Sequence, residues 1–160
     1  MNDSKRLAFF ALCAILSMTG CESTRYEGIH STSRAAMLRS IENEPSGNYF
    51  VGRRYYKKHY KFWGYIREPG QRWGTAKLVM LNEQQKLAPD RAIGKIGSDN
   101  NYEYKLYGYY SGDTVYEPSS NGFYPEFVLR DFELRSASPA SIFRTSGATD
   151  PGRRVLGTPY

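Results

Sequence analysis

The chain has 160 residues, the size of one ordinary domain, and its 22 Lys and Arg against 16 Asp and Glu give a formal net charge of +6. Hydrophobic residues make up 40%, which allows a packed core and excludes a wholly disordered chain. Aromatic residues make up 15%, and 14 residues are Tyr, a composition that favours strands over helices.

The first 20 residues have the pattern of a secretory signal peptide. Lys5 and Arg6 form a positively charged start, and the run from Leu7 to Met18 carries no charge. A helix over those 12 residues would extend about 18 Å, well short of the roughly 30 Å hydrocarbon core of a bilayer. The segment therefore has the length of a signal-peptide hydrophobic region and not of a membrane span.

Met18-Thr19-Gly20-Cys21 follows this region and resembles the lipobox of bacterial lipoproteins, in which an apolar residue and two small residues precede the modified Cys. Met18 stands where the family usually has Leu. The resemblance implies that a diacylglycerol is attached to the Cys21 sulfur and that residues 1–20 are removed. Two or three acyl chains bind a bilayer essentially permanently, so the lipid bilayer is the first expected partner. A secretory signal followed by a chance Cys is the alternative.

The resemblance also implies a location in the cell envelope. In enteric lipoproteins an Asp directly after the Cys favours retention in the inner membrane. This chain has Glu22 there, which favours the periplasmic face of the outer membrane over the inner membrane. Cys13 leaves with the leader and Cys21 is acylated, so the mature chain has no free thiol, as suits an oxidising periplasm.

The mature chain divides into three parts by composition. Residues 21–46 are polar and are expected to be a lipidated tether, with a short helix over 33–41 that Pro45-Ser46-Gly47 ends. Aromatic residues concentrate in residues 47–135, which are expected to form the folded domain. Residues 136–160 are rich in Ser, Thr, Gly, Pro and Arg and are expected to be a flexible tail.

Alternating apolar residues between turn-forming ones predict six short strands, over 49–56, 60–67, 75–81, 102–110, 114–116 and 127–134. A short helix is expected over 83–87, ended by Pro89. Ser111-Gly112-Asp113 predicts a tight hairpin. The apolar positions of the last strand shift from Phe127 and Leu129 to Phe132 and Leu134, which indicates a β-bulge.

Five to six short strands, with glycines inside them and no long helix, predict an all-β domain built as a small twisted barrel. The long interruption after the third strand favours an OB-like barrel, which often carries a helix at that place. An SH3-like barrel is the second choice.

The sequence contains no motif for catalysis, metal binding or a cofactor. It has no Gly-x-Ser-x-Gly elbow and no phosphate-binding loop, and no Cys–His pair survives maturation. His30 and His59 have no metal-ligating neighbour at suitable spacing. We therefore expect no catalytic residue, no metal and no cofactor. The carboxylates of the strand region are expected as solvated surface charges; they are Glu103, Glu117, Glu126, Asp131 and Glu133.

Residues 53–63 form a run of cations and aromatic rings without an acid. Cations bind anionic groups and rings stack on bases or sugars, so such a run is a candidate binding face. The lipobox argues against nucleic acid and leaves anionic lipid headgroups, an acidic glycan or a protein partner. In the alternative reading, the rings enter the core and the cations only screen a sheet edge. The candidate binding residues are Arg53, Arg54, Lys57, Lys58, Lys61 and Trp63.

Together these observations favour a membrane-anchored envelope lipoprotein that acts as a non-enzymatic binding or structural module. The expected partner, beyond the bilayer, is an envelope protein or an anionic envelope polymer. The alternative is an envelope hydrolase or accessory enzyme that uses surface carboxylates, which the sequence alone does not pair. No characterised family resembles the sequence beyond the lipobox.

Anchoring is tested by the Cys21→Ser variant. Because the acyl chains are attached to the Cys sulfur, the variant should remain uncleaved or become soluble. Detergent partitioning and the intact mass of the purified protein measure both outcomes. A mature wild-type protein that carries no acyl chain would contradict the expectation.

Overall fold

The computed structural model describes residues 33–160, so the predicted signal peptide, Cys21 and the first part of the tether lie outside the described residues. The described part begins with helix α1, over residues 33–42, where the sequence predicts a short helix. Residues from Leu38 to Tyr160 belong to one compact unit.

Five strands close into a small barrel in the order β1-β2-β3-β5-β4, with β1 paired to β4. All neighbouring strands are antiparallel except β3 and β5, which are parallel. The predicted all-β barrel is confirmed, and its strand order is OB-like. The strands are β1 (Phe50–Arg54), β2 (Gly64–Arg67), β3 (Lys77–Asn82), β4 (Glu103–Glu117) and β5 (Gly122–Ser136).

The inward side chains of the strands pack together inside the barrel. Gly108 lies on β4 where a Cβ atom would come within 2.2 Å of the Val128 carbonyl oxygen, so glycine allows β4 and β5 to approach closely. The buried residues of this core are Trp63, Ile66, Val79, Ala88, Tyr104, Leu106, Phe127 and Leu129.

The predicted β-bulge is confirmed in β5. Tyr107 of β4 pairs with Asp131, and the next residue, Gly108, pairs with Leu129. Arg130 is therefore the extra residue of β5, and it shifts the inward positions of that strand by one.

The hairpin predicted at Ser111-Gly112-Asp113 is wrong. Strand β4 continues through these residues to Glu117, and the chain reverses only between β4 and β5. A register shift between Tyr110 and Thr114 leaves the three residues in a bulge. Gly112 has a φ of +94° there, a left-handed conformation that a bulge uses as readily as a turn.

The helix predicted over 83–87 is also wrong. Helix α2 spans Pro89–Ala92, so Pro89 begins a helix instead of ending one. Proline has no N–H to donate and its φ suits the first helical turn, which explains the position. Glu83 accepts a hydrogen bond from the Ala88 N–H at 2.9 Å and holds the chain just before the helix.

The last residues of the predicted tether pack against the barrel. Ile41 is 3% exposed. The Glu44 carboxylate accepts two hydrogen bonds from the Arg67 guanidinium, at 2.6 and 2.7 Å, and one from Arg135 at 2.9 Å. The folded unit therefore starts before residue 47, because a buried ion pair joins the end of the tether to β2.

Residues 137–160 cover the outward face of β1 and β2, where a flexible tail was expected. Ile142, Phe143 and Ala148 are all buried. The Phe143 ring lies 4.9 Å from the Tyr55 ring and 5.8 Å from the Tyr65 ring, measured between centroids. The expected flexible tail is therefore wrong, because these few apolar side chains suffice to pack the segment against the barrel.

Polar contacts complete this cover. Tyr65 donates its hydroxyl proton to the Gly157 carbonyl at 2.6 Å, and Tyr55 donates to the Val155 carbonyl at 3.1 Å. The Gly157 N–H in turn donates to the Tyr55 hydroxyl at 2.9 Å. Backbone groups of the covering segment thus satisfy polar side chains that would otherwise be buried without partners.

The Phe143→Ala variant tests the cover. Replacing a buried Phe with Ala leaves a cavity and should lower the free energy of unfolding by about 3 to 5 kcal/mol. Val155, which is 61% exposed, provides a matched control, and Val155→Ala should change stability by less than about 0.5 kcal/mol. Urea unfolding measures both. Equal, small effects would contradict a packed segment.

Candidate functional site

The basic run between β1 and β2 is divided between the interior and the surface. Neighbouring residues of a strand point to opposite sides of the sheet, so Arg53 and Arg54 enter different environments. Of the five cations in the predicted binding set, only Lys58 and Lys61 are exposed. The buried members of the predicted binding set are Arg53, Arg54, Lys57 and Trp63.

Arg53 lies on the outward face of β1 beneath the covering segment. Its guanidinium forms an ion pair with Glu103 at 2.6 Å and donates to the Ala140 carbonyl at 2.9 Å. It also lies 5.3 Å from the Trp73 ring centroid, which Arg67 approaches to 4.6 Å. These contacts give Arg53 a role in stabilising the fold.

Lys57 is held in the same way. Its ammonium group donates to the Asp150 carbonyl at 2.8 Å and lies 5.0 Å from the centroid of the Tyr55 ring. Lys57 is 1% exposed and joins the β1–β2 connection to the covering segment, so its charge is engaged within the fold.

Arg54 forms a buried cluster with two carboxylates. Its guanidinium donates to Asp90 at 3.0 Å and lies 3.4 Å from a carboxylate oxygen of Asp99. It also donates to the Trp63 carbonyl, and the Tyr104 hydroxyl donates to Asp99 at 3.0 Å. Breaking such a buried pair by removing one partner costs about 3 to 5 kcal/mol, so the cluster firmly joins β1 to the β3–β4 connection.

Asp90 also fixes the conformation of the chain that follows α2. Its carboxylate accepts hydrogen bonds from the Gly97 N–H at 2.8 Å and the Arg91 N–H at 3.0 Å, and its carbonyl accepts from the Lys95 N–H at 2.9 Å. Gly97 has a φ of +79°, and a Cβ atom there would meet the Tyr56 ring at 2.3 Å. The turn after α2 is therefore held in one conformation.

A cleft of about 450 Å³ lies between the β1–β2 connection, the end of β3 and the α2 region. The buried Arg54–Asp90 pair forms part of its wall. The residues that give the cleft its chemical character are Lys58, Tyr60, Lys61, Phe62, Arg91 and Ile96.

The cleft presents free positive charge beside aromatic rings. Within residues 33–160, neither Lys58 nor Lys61 forms an ion pair, whereas Arg91 pairs with Glu83 at 2.9 Å. The half-buried Tyr60 ring stacks on the Phe62 ring, with centroids 5.2 Å apart, and Phe62 is itself buried, so Tyr60 is the ring of this pair that can meet a ligand. This combination suits a ligand that carries negative charge together with apolar or sugar-ring surface.

The carboxylates of the strand region differ from the expected solvated set. Asp131 and Glu133 are exposed, as expected. Glu117, however, is completely buried and accepts a hydrogen bond from the Ser120 N–H at 2.7 Å, and Glu103 pairs with the buried Arg53. Glu126 accepts a hydrogen bond from Asn82 at 3.1 Å. Glu103 and Glu117 therefore support the fold and were wrongly expected as solvated charges.

The part of the chain that the structure describes contains no group of three or more His, Cys, Asp or Glu side chains placed to hold a metal ion. Nor does a helix in residues 33–160 have the length and apolar character required to cross a bilayer.

Comparison with known proteins finds no family model, no curated protein and no solved structure that matches the chain.

The contribution of the β3–β4 connection to the cleft was not predicted from the sequence. Arg91 and Ile96 line the cleft, although they lie about 30 residues after the basic run. One local pattern indicates the helix that positions them, since a Pro followed by an acidic residue is typical of a first helical turn, and Pro89-Asp90 has this order. No local pattern pairs Asp90 with Arg54.

Asp99 gives the buried cluster a predicted pH dependence. Burial raises the pKa of Asp99 above its usual 3.8, and Asp90 adds to the rise, while Arg54 and the Tyr104 hydrogen bond oppose it. The folded state therefore binds the Asp99 proton more tightly than the unfolded state does. The contribution of Asp99 to stability is greatest below pH 3.8 and is lost as the pH rises through the raised pKa.

The Asp99→Asn variant should consequently gain stability relative to the wild type as the pH rises from acid to neutral. Asp131 is the matched control, because its hydrogen bond with Lys86 lowers the pKa of that exposed carboxylate. Asp131→Asn should show a small trend of the opposite sign. Urea unfolding of the three proteins across this pH range measures the trends. A constant difference between Asp99→Asn and wild type would contradict the prediction.

Proposed function

We propose that this protein is a lipid-anchored, non-enzymatic binding module of the cell envelope, and that its barrel binds an acidic glycan in the cleft. The observation that carries the proposal is the pair of exposed lysines at the cleft, Lys58 and Lys61, which have no ion-pair partner within residues 33–160. Tyr60 lies between them in the chain and also lines the cleft, and its ring stacks on the buried Phe62 ring.

The lysines and the rings supply two complementary kinds of recognition. An ammonium group attracts a carboxylate, sulfate or phosphate group, and this attraction is screened by salt when the charges are exposed. An aromatic ring packs against the apolar face of a sugar. An acidic glycan offers both features along one chain, whereas a neutral glycan or a simple anion offers only one.

The state of the carboxylates in the cleft supports binding over hydrolysis. Asp90 pairs with Arg54 at 3.0 Å, and Glu83 pairs with Arg91 at 2.9 Å. A hydrolase that uses two carboxylates needs one as a general acid and the other as a base or nucleophile. Carboxylates that are held by guanidinium groups are poorly suited to either task, so the hydrolase alternative has less support.

Anchoring and location complete the proposal. The Met18-Thr19-Gly20-Cys21 sequence supports acylation of Cys21, and Glu22 favours the periplasmic face of the outer membrane. A binding module held there would meet envelope polymers at high local concentration, so that modest affinity for each site suffices for lasting attachment.

The Lys58→Gln/Lys61→Gln double variant tests the cleft. Two exposed charges that contribute about 1 kcal/mol each correspond to a loss of affinity of about 30-fold. The probe is polygalacturonate, an acidic glycan, with dextran as the neutral comparison. Titration of the mature lipoprotein in neutral detergent at low and high salt gives the affinities. The melting temperature should stay nearly unchanged, because exposed charges contribute little to stability.

Arg72→Gln/Arg144→Gln is the matched control for this double variant. Both residues are exposed, neither lines the cleft, and their replacement removes the same charge. This control should bind polygalacturonate like the wild type. The proposal fails if the wild type does not bind polygalacturonate at low salt, if it binds dextran equally well, or if both double variants lose affinity to the same extent.

A further inference from the structure

Three large apolar side chains project into solvent from the β3–β4 connection. Leu87 is 48% exposed, Ile93 is 64% exposed and Ile96 is 66% exposed. All three lie within ten residues of one another, on either side of α2. Exposed isoleucine and leucine side chains grouped in this way indicate a surface that contacts something else.

Positive charge accompanies these side chains. Lys86, Arg91 and Lys95 belong to the same segment, and Ile96 also lines the cleft that carries Lys58 and Lys61. The acids of residues 83–97 are both engaged, since Glu83 pairs with Arg91 and Asp90 pairs with Arg54. Lys86 likewise pairs with Asp131 at 3.0 Å, whereas Lys95 forms no ion pair within residues 33–160. The segment therefore presents apolar groups beside one unpaired cation, with no unpaired acid.

The segment is also held rigidly. The hydrogen bonds that Asp90 accepts fix both ends of the turn after α2, and Gly94 and Gly97 adopt left-handed conformations, with φ of +68° and +79°. Apolar side chains held outwards in a fixed loop bind a surface without a large loss of conformational entropy.

We propose that residues 86–97 form a bilayer-docking surface, in which Leu87, Ile93 and Ile96 enter the headgroup–acyl boundary of an anionic membrane and the unpaired Lys95 contacts lipid phosphate. Apolar residues combined with cations are the combination by which interfacial segments bind anionic lipid. The proposal rests on the proposed acylation of Cys21, which keeps the barrel close to a bilayer. Docking then sets the orientation of the barrel on that bilayer.

Two other surfaces fit less well. A second copy of this chain would bring the unpaired Lys95 of each copy together, which opposes self-association. The turn between β4 and β5 exposes Phe123 by 70% and Tyr116 by 46%. Residues 111–126, however, contain Asp113, Glu117 and Glu126 and no Lys or Arg. An anionic bilayer would repel that turn and attract the β3–β4 connection.

The chain is well suited to a site-specific labelling test. Its cysteines are Cys13 and Cys21, which belong to the predicted leader and the acylation site, so a new Cys would be the only thiol of the mature lipoprotein. The lipoprotein is reconstituted into vesicles of phosphatidylcholine with phosphatidylglycerol, with a fluorophore on Ile93→Cys or, in a second preparation, on Phe123→Cys. Acrylamide, a neutral aqueous quencher, reports the exposure of each label to water.

Quenching of the label at residue 93 should be several-fold weaker than quenching at residue 123. In the residue-93 preparation, Lys95→Gln or Leu87→Ser should increase quenching, whereas the controls Arg144→Gln and Val155→Ser, which change exposed residues outside the segment, should not. Equal quenching at residues 93 and 123, or stronger protection at residue 123, overturns the docking surface. If the residue-93 label is equally protected from acrylamide on vesicles of phosphatidylcholine alone, the requirement for anionic lipid is overturned.

Vesicle flotation separates docking from anchoring. Protein that floats with the vesicles while its residue-93 label is fully quenched disproves the docking surface and leaves the anchoring proposal intact. Protein that does not float disproves both. Binding of polygalacturonate is measured separately and uses the variants of Lys58 and Lys61, so failure of the cleft proposal is recognised independently.

Discussion

The buried guanidinium of Arg54 is the group on which the arrangement of the cleft depends. It contacts the carboxylates of Asp90 and Asp99 and the carbonyl of Trp63. A charge in the interior is tolerated only while its partners remain in place. The β3–β4 connection, the start of β2 and the end of β1 must therefore keep their relative positions. The cleft walls, and the rigid turn beside them, are products of this one buried charge.

A second set of cations holds the outer side of the barrel. Arg53 pairs with Glu103, Arg67 pairs with Glu44, and both guanidinium groups lie against the Trp73 ring. The planar guanidinium can bind a carboxylate at its edge while its face contacts an aromatic ring. Strands β1 and β2 can therefore bury charged side chains on their outward face, although the contacts of that face are not purely apolar.

The parts of the fold that were predicted correctly depend on local patterns. Alternation with a period of two residues indicated the barrel strands, and the shift of that alternation between Leu129 and Phe132 predicted the bulge, in which Arg130 is the extra residue. The burial of Arg53 and Arg54 was missed because their partners lie 36 to 50 residues away in the chain. The covering segment was missed because its apolar residues are few and follow no period. The bulge at Gly112 was predicted as a hairpin because a tight turn and a bulge both use a glycine in the left-handed conformation.

The cover over β1 and β2 also has a consequence for how the protein reaches its native state. Tyr55 and its acceptor Val155 are 100 residues apart in the chain, and contacts of such long range close late in folding because the entropy of a large loop must be lost first. Without the cover, β1 presents Arg53 to water and the β1–β2 connection presents Lys57. Hydrated cations oppose the association of unfinished sheets. The covering segment therefore buries cations that would keep the uncovered sheet hydrated and separate from other chains.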